Sequence, residues 1–212
     1  MNNRRVFIKR VALGTAAISI TPSKAFSNTS KLKQLTILHT NDMHSHIHPF
    51  ESGRNKGVGG MAQRSTIIKK IRDEGNQVLL LDAGDIFQGT PYFNTYGGEL
   101  ELKLMSEMGY DASTIGNHDF DNGLDGLQKQ LPHANFPFLI ANYDFSDTIL
   151  KDTFKPYKIF RKGDLKIGVF GIGIELEGLV PKELYQNTTF SPCTPFCLFF
   201  TSIHPFTTNK TL

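Results

Sequence analysis

"QVLLLDAGD", residues 77–85, sets four consecutive apolar residues against a carboxylate, a small residue, a glycine and a second carboxylate. A strand wet on one face alternates polar and apolar side chains, whereas an unbroken apolar run suits a sheet covered on both faces. The stretch is therefore read as a central strand with a polar turn at its carboxyl end. Upstream, "LTILHT" (35–40) reads as a second buried strand, ended by the turn-forming pair Asn41-Asp42. Between them, "GGMAQRSTIIKKIRDEG" (59–75) has helical spacing. Met61, Ile67, Ile68 and Ile71 are predicted to share a face while Arg64, Lys69, Lys70 and Asp73 stay wet, and Gly75 ends the helix. Downstream, "ELELKLMSEMG" (99–109) reads as a second helix stopped at Gly109, and "DASTIGNHD" (111–119), "FPFLIAN" (136–142) and "LKIGVFGIG" (165–173) read as further strands. Strand–helix–strand alternation without internal repeats argues an α/β domain.

The 212 residues, 39% hydrophobic and 20% charged, suit one globular domain. Of 23 basic residues, Arg4, Arg5, Lys9, Arg10 and Lys24 lie in the first 27, where there is no acid. The other 18 face 20 acidic residues, so the net charge of +3 belongs to the leader and no basic face suggests nucleic acid. That leader, "MNNRRVFIKRVALGTAAISITPSKAFS" (1–27), has a basic start, an apolar run from Val11 to Ile20, then small and polar residues. Ten such residues are too few for a bilayer span, and the order of regions is that of an export signal. "NRRVFIK" resembles a twin-arginine motif, which places the mature chain in the periplasm or otherwise outside the cytoplasm, with membrane contact only during export. The alternative is a helix lying on a lipid surface.

Cys193 and Cys197 form an isolated C-x-x-x-C, read as incidental thiols ahead of a disulfide or metal site. After Glu183 there is no acid, and after Lys182 only Lys210 is basic. The segment 188–212 has neither helical nor strand period and is read as an out-of-frame or truncated end, with a mobile hydrophobic tail as the alternative.

Three polar clusters each follow an apolar strand: Asp42-Met43-His44, Gly84-Asp85 and Gly116-Asn117-His118-Asp119. Taken singly, D-x-H is common, Gly-Asp is a turn, and Asn-His-Asp is a cap. In an open α/β sheet, however, ligands bind at the carboxyl ends of strands, so three such loops can bring Asp42, His44, Asp85, Asn117 and His118 together. Carboxylate, imidazole and amide donors suit zinc, manganese or iron, and a carboxylate can bridge two cations. Four of the seven histidines fall between residues 39 and 48. His44 is the ligand candidate, His39 is expected to be packed or satisfied locally within its strand, and no spacing rule assigns His46 or His48.

"TILHTNDMHSH", "LLLDAGDIFQGTP" and "TIGNHDFDNG", with "GGMAQRSTIIKKIR", "FPFLIANY" and "KIGVFGIG" in order, resemble the calcineurin-like metallophosphoesterases. Within them the resemblance is to the exported 5′-nucleotidase and UDP-sugar hydrolase branch, and it covers about residues 34–187. It implies a metallophosphatase-type α/β sandwich, two sheets flanked by helices, incomplete at its C-terminal end. It also implies a dinuclear-metal hydrolase of nucleotides or related phosphate esters. Asp42 and His44 would hold the first divalent ion, Asp85 would bridge to the second, and Asn117 would hold the second. His118 would face the phosphate, oriented by Asp121. Asp119 would support its loop, and Gln88, Gly89, Thr90 and Pro91 would shape the turn beside the metals.

The family completes its site with later histidines, including a G-H-x-H segment. After His118 this sequence has only His133, read as a loop residue, and His204 in "SIHPF". The nucleotide-binding C-terminal domain of many relatives is also absent, which leaves a separate chain carrying that domain as a possible partner. The alternatives are an inactive truncated fragment holding at most one metal weakly, and an exported metal-binding protein without hydrolase activity. One relative of the family acts on a sulfur-bearing substrate.

Overall fold

The structure, a computed structural model, describes residues 34–75 and 77–192. The leader 1–27, Cys193, Cys197 and His204 lie outside the described residues. Strand β1 (Leu35–Thr40) pairs in parallel with β2 (Gln77–Asp82), Leu35 opposite Gln77 and Thr40 opposite Asp82. Parallel neighbours need a crossover, and helix α1 (Met61–Asp73) supplies it. Helices α2 (Pro91–Tyr96), α3 (Glu99–Glu107), α4 (Gly123–Gln130) and α5 (Lys182–Tyr185) follow.

Beyond β2 the sheet continues only through parallel single bridges, Leu81 to Ala112, Ser113 to Phe138 and Leu139 to Lys155. The strands expected over 111–119 and 136–142 are thus shorter than their patterns suggest. Asp111 accepts from Leu80 N at 2.9 Å, a donor that a longer ladder would use, and Pro137 has no N–H to give. The stretch at 165–173 is a strand only as far as Phe170. There β5 (Leu165–Phe170) pairs antiparallel with β4 (Tyr157–Lys162), a hairpin rather than another parallel strand. A two-residue pair, β3 (Tyr143–Asp144) with β6 (Thr189–Phe190), holds the beginning of the segment read as a separate tail. Phe190 packs against the main core there.

The reading of β2 as doubly covered holds. Val78 and Leu80 face a helix-lined core with Ile68, Leu102, Met105, Leu124 and Leu127. Leu79 faces a smaller core with Ala112, Leu139 and Phe160 from the hairpin. That second layer is narrow, so on β1 Ile37 and His39 remain exposed, which leaves His39 in its strand but unpacked. In α1, Met61 and Ile68 are buried and Ile71 packs at the core edge, but Ile67 is 48% exposed. At 3.6 residues per turn, Ile67 points about 100° away from Ile68.

Where the strands end, a polar knot replaces apolar packing. The buried Asp82 carboxylate accepts from Thr40 Oγ1 at 2.6 Å, Ser113 Oγ at 2.9 Å and Gly84 N at 2.9 Å. Tyr110 OH lies 2.9 Å from Thr40 Oγ1. Three neighbouring backbones are thereby fixed to one side chain. Burial pushes the Asp82 carboxyl up to about 6, against the opposing hydrogen bonds of Thr40, Gly84 and Ser113 and the charge of Arg64.

A raised carboxyl makes the folded chain hold its proton longer than the unfolded chain does. Its stabilising effect is complete below about pH 4 and is lost as pH rises through about 6. In chelator, the stability of the wild type relative to Asp82→Asn is expected to fall by roughly 2–3 kcal/mol between pH 4 and 7. Urea unfolding of both chains across that range measures it; parallel pH profiles would refute it.

Candidate metal centre

The loops after β1 and β2 do not separate where the strands end. Ala83 N donates to Thr40 O at 2.8 Å, Asp42 N to Gly84 O at 3.1 Å, His44 N to Asp85 O at 3.0 Å and Ser45 N to Ile86 O at 2.9 Å. This zipped pair carries an unusual backbone. Asp42 (φ 49°), His44 (φ 44°), Ser45 (φ 54°), Asp85 (φ 55°) and Gln88 (φ 70°) are all left-handed without being glycine. Each such residue costs of order 1–3 kcal/mol and persists only where surrounding contacts over-determine it.

The strained positions include the residues predicted to bind metal. Donor atoms of Asp42, His44 and Asp85 all lie within 4.8 Å of one another. His44 Nε2 is 3.7 Å from Asp42 Oδ1, and Asn41 Nδ2 donates to Asp42 Oδ2. Asp42 is exposed while His44 and Asp85 are half-buried, so the cluster opens to solvent on one side. Two oxygens and one nitrogen this close fit a borderline divalent cation, and no thiolate is required.

The third loop is pressed against Asp85. His118 N donates to Asp85 Oδ1 at 2.9 Å. A Cβ on Gly116 would come within 2.2 Å of Asp85 Oδ1 and 2.5 Å of Asp85 N, while one on Gly84 would come within 2.5 Å of Gly116 N. Only glycine at both positions lets the loops approach this closely. Asn117 lies between these contacts, half-buried at the head of the 3₁₀ turn His118–Phe120.

The His118 ring stands 5.0 Å from the His44 ring, edge to face, with Nδ1 3.0 Å from Asp121 Oδ2. A carboxylate only accepts, so Nδ1 carries the proton and Nε2 is the nitrogen left for a ligand. Burial alone would lower the His118 pKa. The hydrogen bond and charge of Asp121, with the charges of Asp85 and Asp119, outweigh it and raise the pKa.

The structure gives Asp119 a more specific place than loop support. Its buried carboxylate accepts from Gly116 N (2.8 Å), Asp85 N (3.1 Å), Ile86 N (2.9 Å) and Phe87 N (3.1 Å). Burial drives its carboxyl up to about 7, against the N–H groups of Gly116 and Phe87 and with the charges of Asp82 and Asp85 adding to the rise.

In the turn at 88–91, a Cβ on Gly89 would meet His44 O at 2.9 Å, Thr90 Oγ1 donates to Ser45 O at 3.0 Å, and Pro91 opens α2. His46 lies over Phe50 at 4.3 Å and His48 near Tyr92 at 5.6 Å. His133 is half-buried, 3.8 Å from Glu99. Sequence reasoning missed two buried residues beside the cluster, Ser45 and Glu101. The signal for Glu101 was present: it lies four residues before Met105 on the face α3 buries.

Gly116→Ala is expected to cost roughly 1–3 kcal/mol or more, because the added methyl meets backbone that cannot move aside. Asp119→Asn sets an amide against N–H donors and is expected to cost a similar roughly 1–3 kcal/mol. Gly168→Ala, with open space around its Cβ, is the near-neutral control. Chemical denaturation checks all three; a neutral Gly116→Ala would contradict the packing described.

The chain is similar to known proteins over most of its described length. The family described as calcineurin-like phosphoesterase matches residues 35–191. A snake venom 5′-nucleotidase of Gloydius brevicauda is 45% identical over 147 residues, covering 65% of this chain and 25% of that protein. A 5′-nucleotidase of Vibrio parahaemolyticus is 41% identical over 182 residues, covering 82% of this chain and 31% of that one. Among solved structures, a 5′-nucleotidase precursor from Thermus thermophilus superposes with a TM-score of 0.62 at 38% identity, covering 66% of this chain and 28% of that one. The chain therefore spans about a quarter to a third of the length of these relatives.

Proposed function

The chain belongs to the calcineurin-like phosphoesterase family, whose members use two divalent metal ions, and from that membership we propose that it is a nucleotide-directed phosphomonoesterase domain. The observation that carries the reading is the close meeting of Asp42, His44 and Asp85, with the His118–Asp121 pair beside them. In this reading Asp42, His44 and Asp85 hold one cation, and Asp85 with Asn117 holds the other. Bound cations supply charge neutralisation and Lewis acidity to phosphoryl oxygens.

The rest falls to the chain's own groups. Asp121 holds the His118 ring through Nδ1, and its charge favours the protonated ring. Protonated His118 donates from Nε2 to the leaving alkoxide oxygen, so the nucleoside departs as an alcohol. Asp119 and the facing glycines keep Asp85 and His118 at fixed separation, which removes reorganisation from the reaction.

5′-Nucleotides are the preferred substrate class because the relatives above are named 5′-nucleotidases. In the same reading the 1–27 segment directs export, and a separate chain carrying a nucleotide-binding domain is the partner to test.

The full chain, supplied with manganese or zinc, is expected to hydrolyse AMP or p-nitrophenyl phosphate. His118→Ala should reduce the rate by about 10²–10⁴-fold, the usual share of a positioned acid. Asp85→Ala should remove metal binding measured by calorimetry. Metal binding without hydrolysis, or with hydrolysis indifferent to His118, would favour the fragment reading instead.

A further inference from the structure

We propose that Glu101 is a positioning residue for the metal centre, acting through Ser45 on His44. This rests on the reading of Asp42, His44 and Asp85 as metal ligands. Glu101 is fully buried on α3, on the face that also buries Leu102 and Met105. One oxygen of its carboxyl group accepts the Ser45 hydroxyl, and Oε2 has no hydrogen-bond partner among the described residues.

Core packing does not explain this choice of residue. A buried carboxyl group with an unsatisfied oxygen is costly, and an apolar side chain of similar volume would fill the space without that cost. The contact it makes is with a residue under backbone strain. Ser45 is fully buried, left-handed at φ 54°, and directly follows His44, itself at φ 44°.

Ser45 is tied by four hydrogen bonds. Its N–H donates to Ile86 O at 2.9 Å, its carbonyl accepts from Ile47 N at 2.8 Å and Thr90 Oγ1 at 3.0 Å, and its hydroxyl donates to Glu101. Ile86 and Thr90 belong to the segment between β2 and α2, and Ile47 to the loop of Ser45 itself. Glu101 is the partner that stands within a core helix, and it holds the Ser45 side chain rather than its backbone. The anchored Ser45 fixes the peptide that carries His44 and so the direction of its imidazole toward Asp42 and Asp85. Outer partners of this kind commonly govern metal affinity by 10–100-fold.

The test uses the full chain and cobalt or manganese as the probe. Affinity is measured by calorimetry, ligand geometry by the visible spectrum of bound cobalt, and the His44 ring by proton–nitrogen NMR of the metal-free chain. Glu101→Leu and Ser45→Ala are each expected to weaken metal binding 10–100-fold and to shift the His44 ring signals. The double variant should be no worse than the singles, because both remove one connection.

Glu101→Gln keeps an acceptor for the hydroxyl and should remain within about threefold of wild type, a difference small beside the 10–100-fold loss. If Glu101→Leu does not fold, Ser45→Ala and Glu101→Gln carry the comparison. Wild-type affinity in Ser45→Ala with only the denaturation midpoint changed would overturn the proposal, as would a Glu101→Gln as weak as Ser45→Ala. Should the wild type show no metal site sensitive to Asp85→Ala, the functional reading falls, and this inference with it. An Asp85-dependent site untouched at Ser45 and Glu101 overturns this inference alone.

Discussion

Four backbone N–H groups from two loops converge on the carboxylate of Asp119, and the arrangement at the sheet edge depends on that convergence. The loop after β2 must turn sharply to present Asp85, which leaves the N–H groups of Asp85, Ile86 and Phe87 outside any helix or strand. Buried donors without partners each cost about 1–3 kcal/mol. Asp119 satisfies all three and adds Gly116 from its own loop, so one side chain sets the distance between Asp85 and His118. Its carboxyl, pushed up to about 7, shows how much burial opposes keeping a charge there.

The glycines complete what Asp119 begins. Gly84 and Gly116 meet backbone to backbone, at a separation no side chain would allow. The metal-type donors themselves cannot be glycine, since they need side chains, and so Asp42, His44 and Asp85 carry left-handed strain directly. Aspartate and histidine tolerate this region better than most residues, but two left-handed residues in succession, His44 and Ser45, require the cross-loop hydrogen bonds that hold them. Strain and restraint sit in the same few residues, as expected where geometry matters more than stability.

How much of this was legible depended on the range of each interaction. The unbroken apolar run at 78–81 identified a doubly covered strand because periodicity is a local property, and the three polar clusters marked, for the same reason, the loops that come together at the sheet edge. Ile67 was misplaced by about 100° on its helix, whereas the exposure of Ile37 and His39 is decided by how far a neighbouring layer extends, and here that layer is one hairpin. The strands at 111–119 and 136–142 are held by single bridges, and near the first the Asp111 side chain takes the Leu80 N–H from 31 positions away. No short-range pattern reports a partner at that distance.

By itself the sequence determined the α/β alternation, the position of the polar loops and the residue types available for metal chemistry. Each of these follows from side-chain period and from turn propensity within a few residues. Only the tertiary structure decided that Asp42, His44 and Asp85 stand within reach of one cation, that Asp119 binds two loops into one unit, and that a core glutamate reaches Ser45. Those facts require segments up to 56 positions apart to meet, between Ser45 and Glu101. Such meetings are fixed by packing around a shared core, which the chain acquires only when it folds.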